Sequence, residues 1–506
     1  MPTAQAVTVV TAVTLDDGAV ALTVRGMFGR DASYLFLWLV NLGLAAVFTP
    51  VSTRLLGPSR FGLVASSIAI MQVLVAIASV SLQNAVQRRY AAPAGERDAR
   101  RLVTLAIAIS LATFALADFT GPAWSSALGL GPYPLAVRYA VGWASLTAIS
   151  NAALGLLRSR DQLGPFAAVS LMQSVLAEGL SLTFVLLIHR TAANYVLGQL
   201  VAQAAAVTLA LAVARPLRLR GRDLGVVGDA LQFALPLVPA TLAAFVLDAS
   251  DRLVVQHYLG FASVARYAVA CNIGSIPILA LGALNTVWMP RVFALADTRV
   301  RNSVLAQSRD SLYALLVPVV AGLGIAAPVL LRIWAPPRYR PDSLMVVVAI
   351  VATTSFAVAG VMSHTRTLLA AGRTRPVGLL TCFAAAVNIG LNIVLVPRLG
   401  IAGSAGATLA SYALLDALLA AGACSVARLR LPAPALLLSM LGAAGIAFIA
   451  TTLPVSPGFM VVRGVVGLGC MALFFAMTFT LAGARAFPGA RWIAAPFIAW
   501  LVPVAR

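Results

Sequence analysis

Residues 395–412 read LVPRLGIAGSAGATLASY, and this stretch indicates two consecutive membrane helices. An apolar run ends at Pro397 and Arg398, and the chain resumes with small residues from Ile401. Helices in lipid associate by close packing rather than by hydrophobic burial, so the pattern Gly403-x-x-Gly406 is typical of a tightly packed membrane helix. We therefore predict that Pro397 ends one membrane helix and that the next helix begins at Ile401.

The composition of the whole chain agrees with a membrane protein. Of the 506 residues, 61% are hydrophobic and only 10% are charged, whereas soluble domains are about 45–50% apolar and about 25% charged. Apolar runs of about 20 residues, enough to cross a hydrocarbon core of roughly 30 Å, recur along the chain. We predict an all-α polytopic membrane protein with about fourteen transmembrane helices. The predicted spans are 33–52, 61–83, 102–119, 132–157, 163–188, 192–213, 229–249, 262–288, 311–334, 342–362, 375–397, 401–425, 432–453 and 461–483.

The basic residues indicate the orientation. All 36 are arginine, and the net charge is +20. In a soluble chain this charge would suggest nucleic acid, but here the arginines lie in short loops, so we predict no nucleic-acid partner. With both termini inside, 25 arginines fall on inner segments and 11 on outer ones; the positive-inside rule therefore favours cytoplasmic termini. Without lysine, the chain cannot carry its own P-loop for ATP.

Two halves of the chain resemble each other. Leu56-Gly57 corresponds to Leu259-Gly260, and Pro165, Gly179 and Leu180 recur at a constant offset as Pro376, Gly390 and Leu391. Such a repeat spans six helices, an even number, so the copies run parallel, as in two-lobed transporters with a site between the lobes. The predicted division is a cytoplasmic leader (1–30), an N-lobe (31–222), a C-lobe (223–427), a C-terminal helix pair (428–484) and a cytoplasmic or interfacial tail (485–506).

Enzyme and metal sites are not indicated. The three histidines, His189, His257 and His364, are far apart in the sequence, and neither HExxH nor CxxC occurs. The four cysteines fall within predicted helices, which suggests packing rather than disulfides. We expect no catalytic residues, no metal and no cofactor.

Several stretches together resemble a known family. VNIGLNIVLVPRLGIAGSAGATLAS at 387–411, the segment 235–270 with Asp251-Arg252 before Leu259-Gly260, and RLLGPSRFG at 54–62 are similar to polysaccharide-type flippases. These belong to the multidrug/oligosaccharidyl-lipid/polysaccharide exporter superfamily. In the last stretch Ser59-Arg60 stands where that family more often has an acidic residue. The resemblance covers roughly residues 33–425.

The resemblance implies a function. Family members have fourteen helices, two six-helix lobes and alternating access, and they flip undecaprenyl-diphosphate-linked oligosaccharides to the periplasmic leaflet of the bacterial inner membrane. The product would feed O-antigen, capsule or exopolysaccharide synthesis, with membrane lipids, a polymerase and chain-length proteins as partners. Two alternatives remain: a cation-coupled multidrug exporter and a lipid II flippase of the same fold. The predicted helices after residue 425 argue against the drug exporter, because drug exporters of this type usually have twelve helices.

A lipid-linked diphosphate needs guanidinium groups, which can bind it through two hydrogen bonds. Arginines inside a membrane region are costly and are therefore functional candidates. The diphosphate candidates are Arg54, Arg138, Arg252 and Arg266. We rank Arg266 above Arg138, because Asp118 can neutralise Arg138, whereas Arg54 and Arg252 can also reach the interface by snorkelling.

Carboxylates in the spans form the second set of candidates. An acidic side chain there must be paired, protonated or solvated. The candidates for binding a coupling proton or cation are Glu178, Asp416, Asp248 and Asp251, and the alternative role of each is a hydrogen bond to a neighbouring helix.

Overall fold

The computed structural model describes residues 47–92, 95–279, 281–282, 298–427 and 431–483. The predicted leader, most of the first span, the last residues of the eighth span (280 and 283–288) and the predicted tail lie outside the described residues. Everything below concerns the described part of the chain.

The described chain is helical, and its described residues contain no strand. Eleven helices are long and apolar enough to cross a membrane, which agrees with the prediction of an all-α polytopic protein and is compatible with its helix number. The helices are α1 (47–56, described part), α2 (Pro58–Ser79), α3 (Gly95–Phe119), α4 (Leu135–Ser159), α5 (Leu163–Leu187), α6 (Ala192–Ala214), α7 (Leu224–Leu259), α8 (Phe261–Gly274), α9 (Thr298–Trp334), α10 (Met345–Ala370), α11 (Thr374–Leu399), α12 (Ile401–Ala427), α13 (Pro434–Thr452) and α14 (Pro457–Gly483).

Three helices contain local breaks. After α2, Val80 and Ser81 have positive φ angles, and a short helix, Leu82–Tyr90, continues in a new direction. A π-helical turn at Met172–Leu176 interrupts α5, and a 3-10 turn at Leu235–Leu237 interrupts α7. Such breaks are common at functional sites and hinges.

The prediction that Pro397 ends its helix is wrong by two residues. Helix α11 runs through Pro397 to Leu399, and Gly400, at φ 63°, makes the turn. Pro397 cannot donate to the carbonyl four residues before it, yet the helix continues past it, because the N–H of Gly400 still donates to the carbonyl of Val396 at 2.9 Å. The positive φ that stops the helix is one that glycine adopts without strain.

The small residues that begin α12 serve close packing, as predicted, but only in part. A Cβ on Gly403 would lie 2.4 Å from the carbonyl oxygen of Leu395 in α11, so the two helices meet at this glycine. Gly406 faces open space. Nearby, the Ser404 hydroxyl donates to Asn392 Oδ1 at 2.7 Å, which adds a buried polar contact to the same hairpin.

Each half of the chain has its own set of helix–helix contacts. In the first half, α4 packs against α2, α3 and α6; in the second half, α10 packs against α9 and α12, and α11 packs against α7 and α12. The C-terminal helices α13 and α14 lie along α9. The buried guanidinium of Arg463 in α14 fixes this contact by donating to the carbonyls of Ile325, Ala450 and Leu453 at 2.9, 2.8 and 3.3 Å.

The two halves meet at the start of α2 and α8. Gly57 and Gly260 precede these helices with nearly the same backbone angles, φ 76° with ψ 168° and φ 76° with ψ 172°. A Cβ on Gly62 of α2 would lie 1.8 Å from the carbonyl oxygen of Phe261, the first residue of α8. We call the end of the molecule that contains these contacts the outer end, following the predicted orientation. The division into two lobes and a helix pair stays a prediction.

Candidate functional site

Hydrogen bonds join the two halves at the outer end. The hydroxyl of Thr53 in α1 donates to the carbonyl of Trp334 at 2.7 Å. In the other direction, the Arg338 guanidinium donates to the carbonyl of Thr53 at 2.9 Å and also to that of Arg54. We call this group, Thr53, Arg54, Trp334 and Arg338, the outer latch. It joins the two halves at the outer end.

Two of the four candidate arginines are already engaged. Arg54 donates to the carbonyls of Pro50 at 3.0 Å and Ile333 at 2.9 Å, and so contributes to the outer latch. Arg138 donates through Nε and Nη2 to both oxygens of Asp118 at 3.0 and 3.1 Å, so the predicted ion pair is present. The Tyr133 hydroxyl also donates to Asp118, at 2.9 Å, and burial together with this bond raises the pKa of Tyr133 above its usual range.

Arg252 and Arg266 keep unused donors. In both, the buried Nε has no hydrogen-bond partner among the described residues. Arg266 donates through Nη2 to the Ser343 hydroxyl at 2.7 Å. The backbone N–H of Arg252, not its guanidinium, donates to the Asp251 carboxylate at 2.7 Å. A guanidinium with an unused N–H can bind a further acceptor.

Asp248 and Asp251 each accept a hydrogen bond from a tyrosine of a neighbouring helix. Tyr412 of α12 donates to Asp248 at 2.6 Å, and Tyr267 of α8 donates to Asp251 at 2.6 Å. Asp251 is 5% exposed and Tyr267 is 1% exposed, whereas the Asp248 side chain is exposed. Helix α7 therefore carries one enclosed carboxylate and, three residues before it, one accessible carboxylate.

Glu178 has the same kind of partner in the first half. The Tyr195 hydroxyl of α6 donates to its Oε2 at 2.6 Å. Glu178 lies two residues after the π-helical turn of α5, which changes the direction in which the following side chains point. The hydrogen bond to a neighbouring helix, the alternative role considered from the sequence, is thus present, and a role in coupling stays a prediction.

Asp416 pairs with a histidine that sequence analysis did not select. Nδ1 of His364 lies 2.8 Å from Oδ1 of Asp416, and His364 is 5% exposed. His364 lies inside α10, six residues before its end, and not at a helix boundary as its sequence position suggested. Gly360, one helical turn before His364, gives the carboxylate room. No local sequence signal links the two residues, which lie 52 positions apart in the chain.

The candidates do not form one compact centre. The Asp416–His364 pair lies toward the opposite end of α10 and α12 from the outer latch, while Asp248, Asp251, Arg252 and Arg266 lie along α7 and α8 near the outer end. Among the residues that the model describes, three or more metal-ligating side chains nowhere come together.

Comparison with known proteins adds to this geometry. A family model described as "Polysaccharide biosynthesis protein" matches residues 51–340. No curated protein sequence matches the chain. A solved structure, "Lipid II flippase MurJ, inward closed conformation", has a TM-score of 0.66 at 13% identity, covering 89% of this chain and 98% of that chain. An inward-facing multidrug resistance MATE family transporter of the MOP superfamily has a TM-score of 0.58 at 14% identity, covering 85% of this chain and 99% of that one. At these identities the likeness shows a shared fold.

Proposed function

The chain belongs to the family of polysaccharide biosynthesis proteins, and from this premise we propose that it flips lipid-linked oligosaccharides from the cytoplasmic to the periplasmic leaflet. The substrate would be an undecaprenyl-diphosphate-linked repeat unit for a surface polysaccharide. The observation that carries the proposal is the match of more than half of the chain to this family, in a chain with the fold of a flippase and a transporter. Both structural relatives are transporters rather than enzymes, as the sequence predicts for this chain.

Alternating access gives the outer latch a role. A transporter that is closed on one side must break contacts on that side to release its substrate. The latch joins the two halves mainly by hydrogen bonds to backbone carbonyls, which can be exchanged for water without burying an unpaired charge. In this proposal the described conformation is the one that receives substrate from the inner side.

For the diphosphate we propose Arg252 and Arg266 as the principal ligands. Their guanidinium groups have unused N–H donors that can donate to phosphate oxygens without first losing a carboxylate partner. Arg138 would have to break its two-bond pair with Asp118, and Arg54 would have to leave the latch. Both therefore rank below the other two arginines.

For coupling we propose the carboxylates that are held by neighbouring helices. Each of Glu178, Asp248 and Asp251 accepts from a tyrosine, and Asp416 contacts a histidine. Binding or loss of a proton at such a group changes its bond to the other helix, so it favours one conformation over another. The absence of lysine from the chain excludes its own P-loop, so the driving force would be an ion gradient rather than ATP.

Deletion of the gene tests the proposal. We expect surface polysaccharide to be lost and lipid-linked repeat units to remain on the cytoplasmic leaflet. Complementation with the intact chain should restore the surface polysaccharide and remove the accumulated lipid-linked units. Unchanged polysaccharide with increased drug sensitivity would instead favour the multidrug exporter, and arrested peptidoglycan synthesis would favour a lipid II flippase.

A further inference from the structure

A cavity of about 730 Å³ lies at the inner end of the molecule, far from the latch. The short helix Leu82–Tyr90 forms one wall, and the first part of α7 forms the other. Two arginines, Arg88 and Arg89, line it together with apolar residues such as Leu102 and Phe233. Pockets of this size hold small ligands or lipid headgroups.

The guanidinium of Arg88 is held by an aromatic ring but has no polar partner among the described residues. Its Cζ lies 4.4 Å from the ring centroid of Phe233, so the ring supports the guanidinium by a cation–π contact. No described residue forms an ion pair or hydrogen bond with the Arg88 guanidinium. Its planar N–H groups are therefore available on the cavity side, held in place by an aromatic face.

The neighbouring arginines differ from Arg88. Arg89 pairs with Asp98 at 2.9 Å, Arg101 pairs with the same carboxylate at 3.0 Å, and Arg160 pairs with Glu96 at 2.9 Å. These pairs compensate the arginines that surround the cavity. Arg88 remains the cation in the cavity wall that these carboxylates leave uncompensated.

One acidic residue limits the affinity of the cavity for anions. Asp229 lines the same cavity, its side chain is 71% exposed, and its Oδ2 lies 3.9 Å from Nη1 of Arg89. Such a loose and exposed pair contributes little. An incoming anion can therefore replace Asp229 as the partner of Nη1 of Arg89, although the negative charge of Asp229 repels that anion.

We propose that this cavity binds the phosphate of a lipid headgroup, with Arg88 as the main ligand and Arg89 as the second. A guanidinium on an aromatic ring suits a phosphate, which it can bind through two parallel hydrogen bonds. The apolar wall fits the beginning of a lipid tail better than a fully water-soluble phosphate. The phosphate can come from the lipid-linked diphosphate, which rests on the proposed function, or from a membrane phospholipid.

Native mass spectrometry of the full-length chain in detergent tests this site. The probes are undecaprenyl diphosphate, phosphatidylglycerol and, as a phosphate-free control, undecaprenol. We expect Arg88→Ala to weaken binding of at least one phosphate lipid about tenfold, the effect of losing one charged hydrogen bond. Asp229→Asn should strengthen the same binding, and undecaprenol binding should change in neither variant.

Arg158→Ala is the matched control, because Arg158 also lies over an aromatic ring, that of Phe166 at 5.2 Å, but outside this cavity. A loss confined to undecaprenyl diphosphate identifies the substrate diphosphate as the ligand, and a loss confined to phosphatidylglycerol identifies a phospholipid. The proposal is overturned if Arg88→Ala binds both phosphate lipids as tightly as the wild type does. It is also overturned if Asp229→Asn binds them more weakly than the wild type does. If Arg88→Ala does not fold, Asp229→Asn alone decides. Binding is measured without transport, so the result does not depend on whether the chain flips glycans.

Discussion

His364 and Asp416 join α10 to α12 inside the membrane region, with Nδ1 and Oδ1 only 2.8 Å apart. The contact exists because Gly360 has no side chain: a Cβ there would lie 2.2 Å from the same carboxylate oxygen. One glycine thus determines whether a titratable pair can form. An acidic side chain in a membrane span needs such a partner.

Gly360→Ala should therefore break the pair, although alanine is the better helix former. The added methyl group must push the Asp416 carboxylate away, and we expect a loss of about 1–3 kcal/mol in stability from the displaced buried polar contact. Thermal unfolding in detergent and transport in cells would both report it. Gly390→Ala in α11 is the control, because nothing lies within 4 Å of its added Cβ. An unfolding temperature and transport equal to those of the wild type would show that the pair is not needed.

Arg252→Ala and Arg266→Ala should each reduce export at least about tenfold, because each removes a charged hydrogen bond to the diphosphate. Protein abundance should not change. Lysine should restore only part of the activity, since an ammonium lacks the planar two-bond geometry of guanidinium. The measurement is surface polysaccharide in a deletion strain that carries each variant.

Arg138→Ala is the control for this pair, since its guanidinium is already bound to Asp118. It should retain most of the activity. Full activity in both Arg252→Ala and Arg266→Ala would remove these two arginines from the mechanism.

The outer latch predicts a shift in conformation. Arg338→Ala removes the donors to the carbonyls of Thr53 and Arg54, so the outer end should open more often. A charged hydrogen bond contributes about 1.5–3 kcal/mol, which corresponds to about a tenfold change in population or more. Spin labels on cysteines at Ser126 and Ala262, in a chain whose native cysteines are replaced, would measure the distance between the two halves.

The control for the latch is Arg332→Ala. Arg332 also lies at the outer end, but its partner Asp342, at 2.9 Å, belongs to the same half. Its distance distribution should match that of the parent chain. An unchanged distribution in Arg338→Ala as well would mean that the latch does not hold the two halves together.

The predicted orientation has a direct test. A reporter fused after Arg430 should be cytoplasmic, and one inserted within 454–460 should be external, because the arginine distribution favours cytoplasmic termini. The two sites flank α13, so they report its direction. If each reporter is found in the opposite compartment, the orientation is reversed and the end called outer faces the cytoplasm.

Helices and their packing followed from local sequence patterns. Apolar length predicted the spans, and the match of Leu56-Gly57 with Leu259-Gly260 corresponds in the structure to two similar turns, before α2 and before α8. The polar contacts between side chains of different helices could not be predicted from the sequence. Nothing near Asp416 in the sequence points to His364, which is 52 residues away, and the tyrosines that contact Asp248 and Asp251 belong to other helices.

The breaks within helices were also missed. The π-helical turn at Met172–Leu176 and the turn at Val80 and Ser81 contain neither proline nor glycine. A pattern of hydrophobicity does not encode such local changes of backbone geometry. The latch was missed for a similar reason, because its acceptors are backbone carbonyls.

The central claim is that this chain alone moves lipid-linked glycans across a bilayer. The most direct measurement uses purified protein in liposomes that contain a lipid-linked oligosaccharide in both leaflets, treated with a membrane-impermeant reagent that modifies the glycan. With the folded protein and an ion gradient present but no ATP, the account predicts that glycans of both leaflets become modified, and that the double variant of Arg252 and Arg266 to alanine leaves the inner leaflet protected. Modification confined to the outer leaflet in the presence of the folded chain would contradict it.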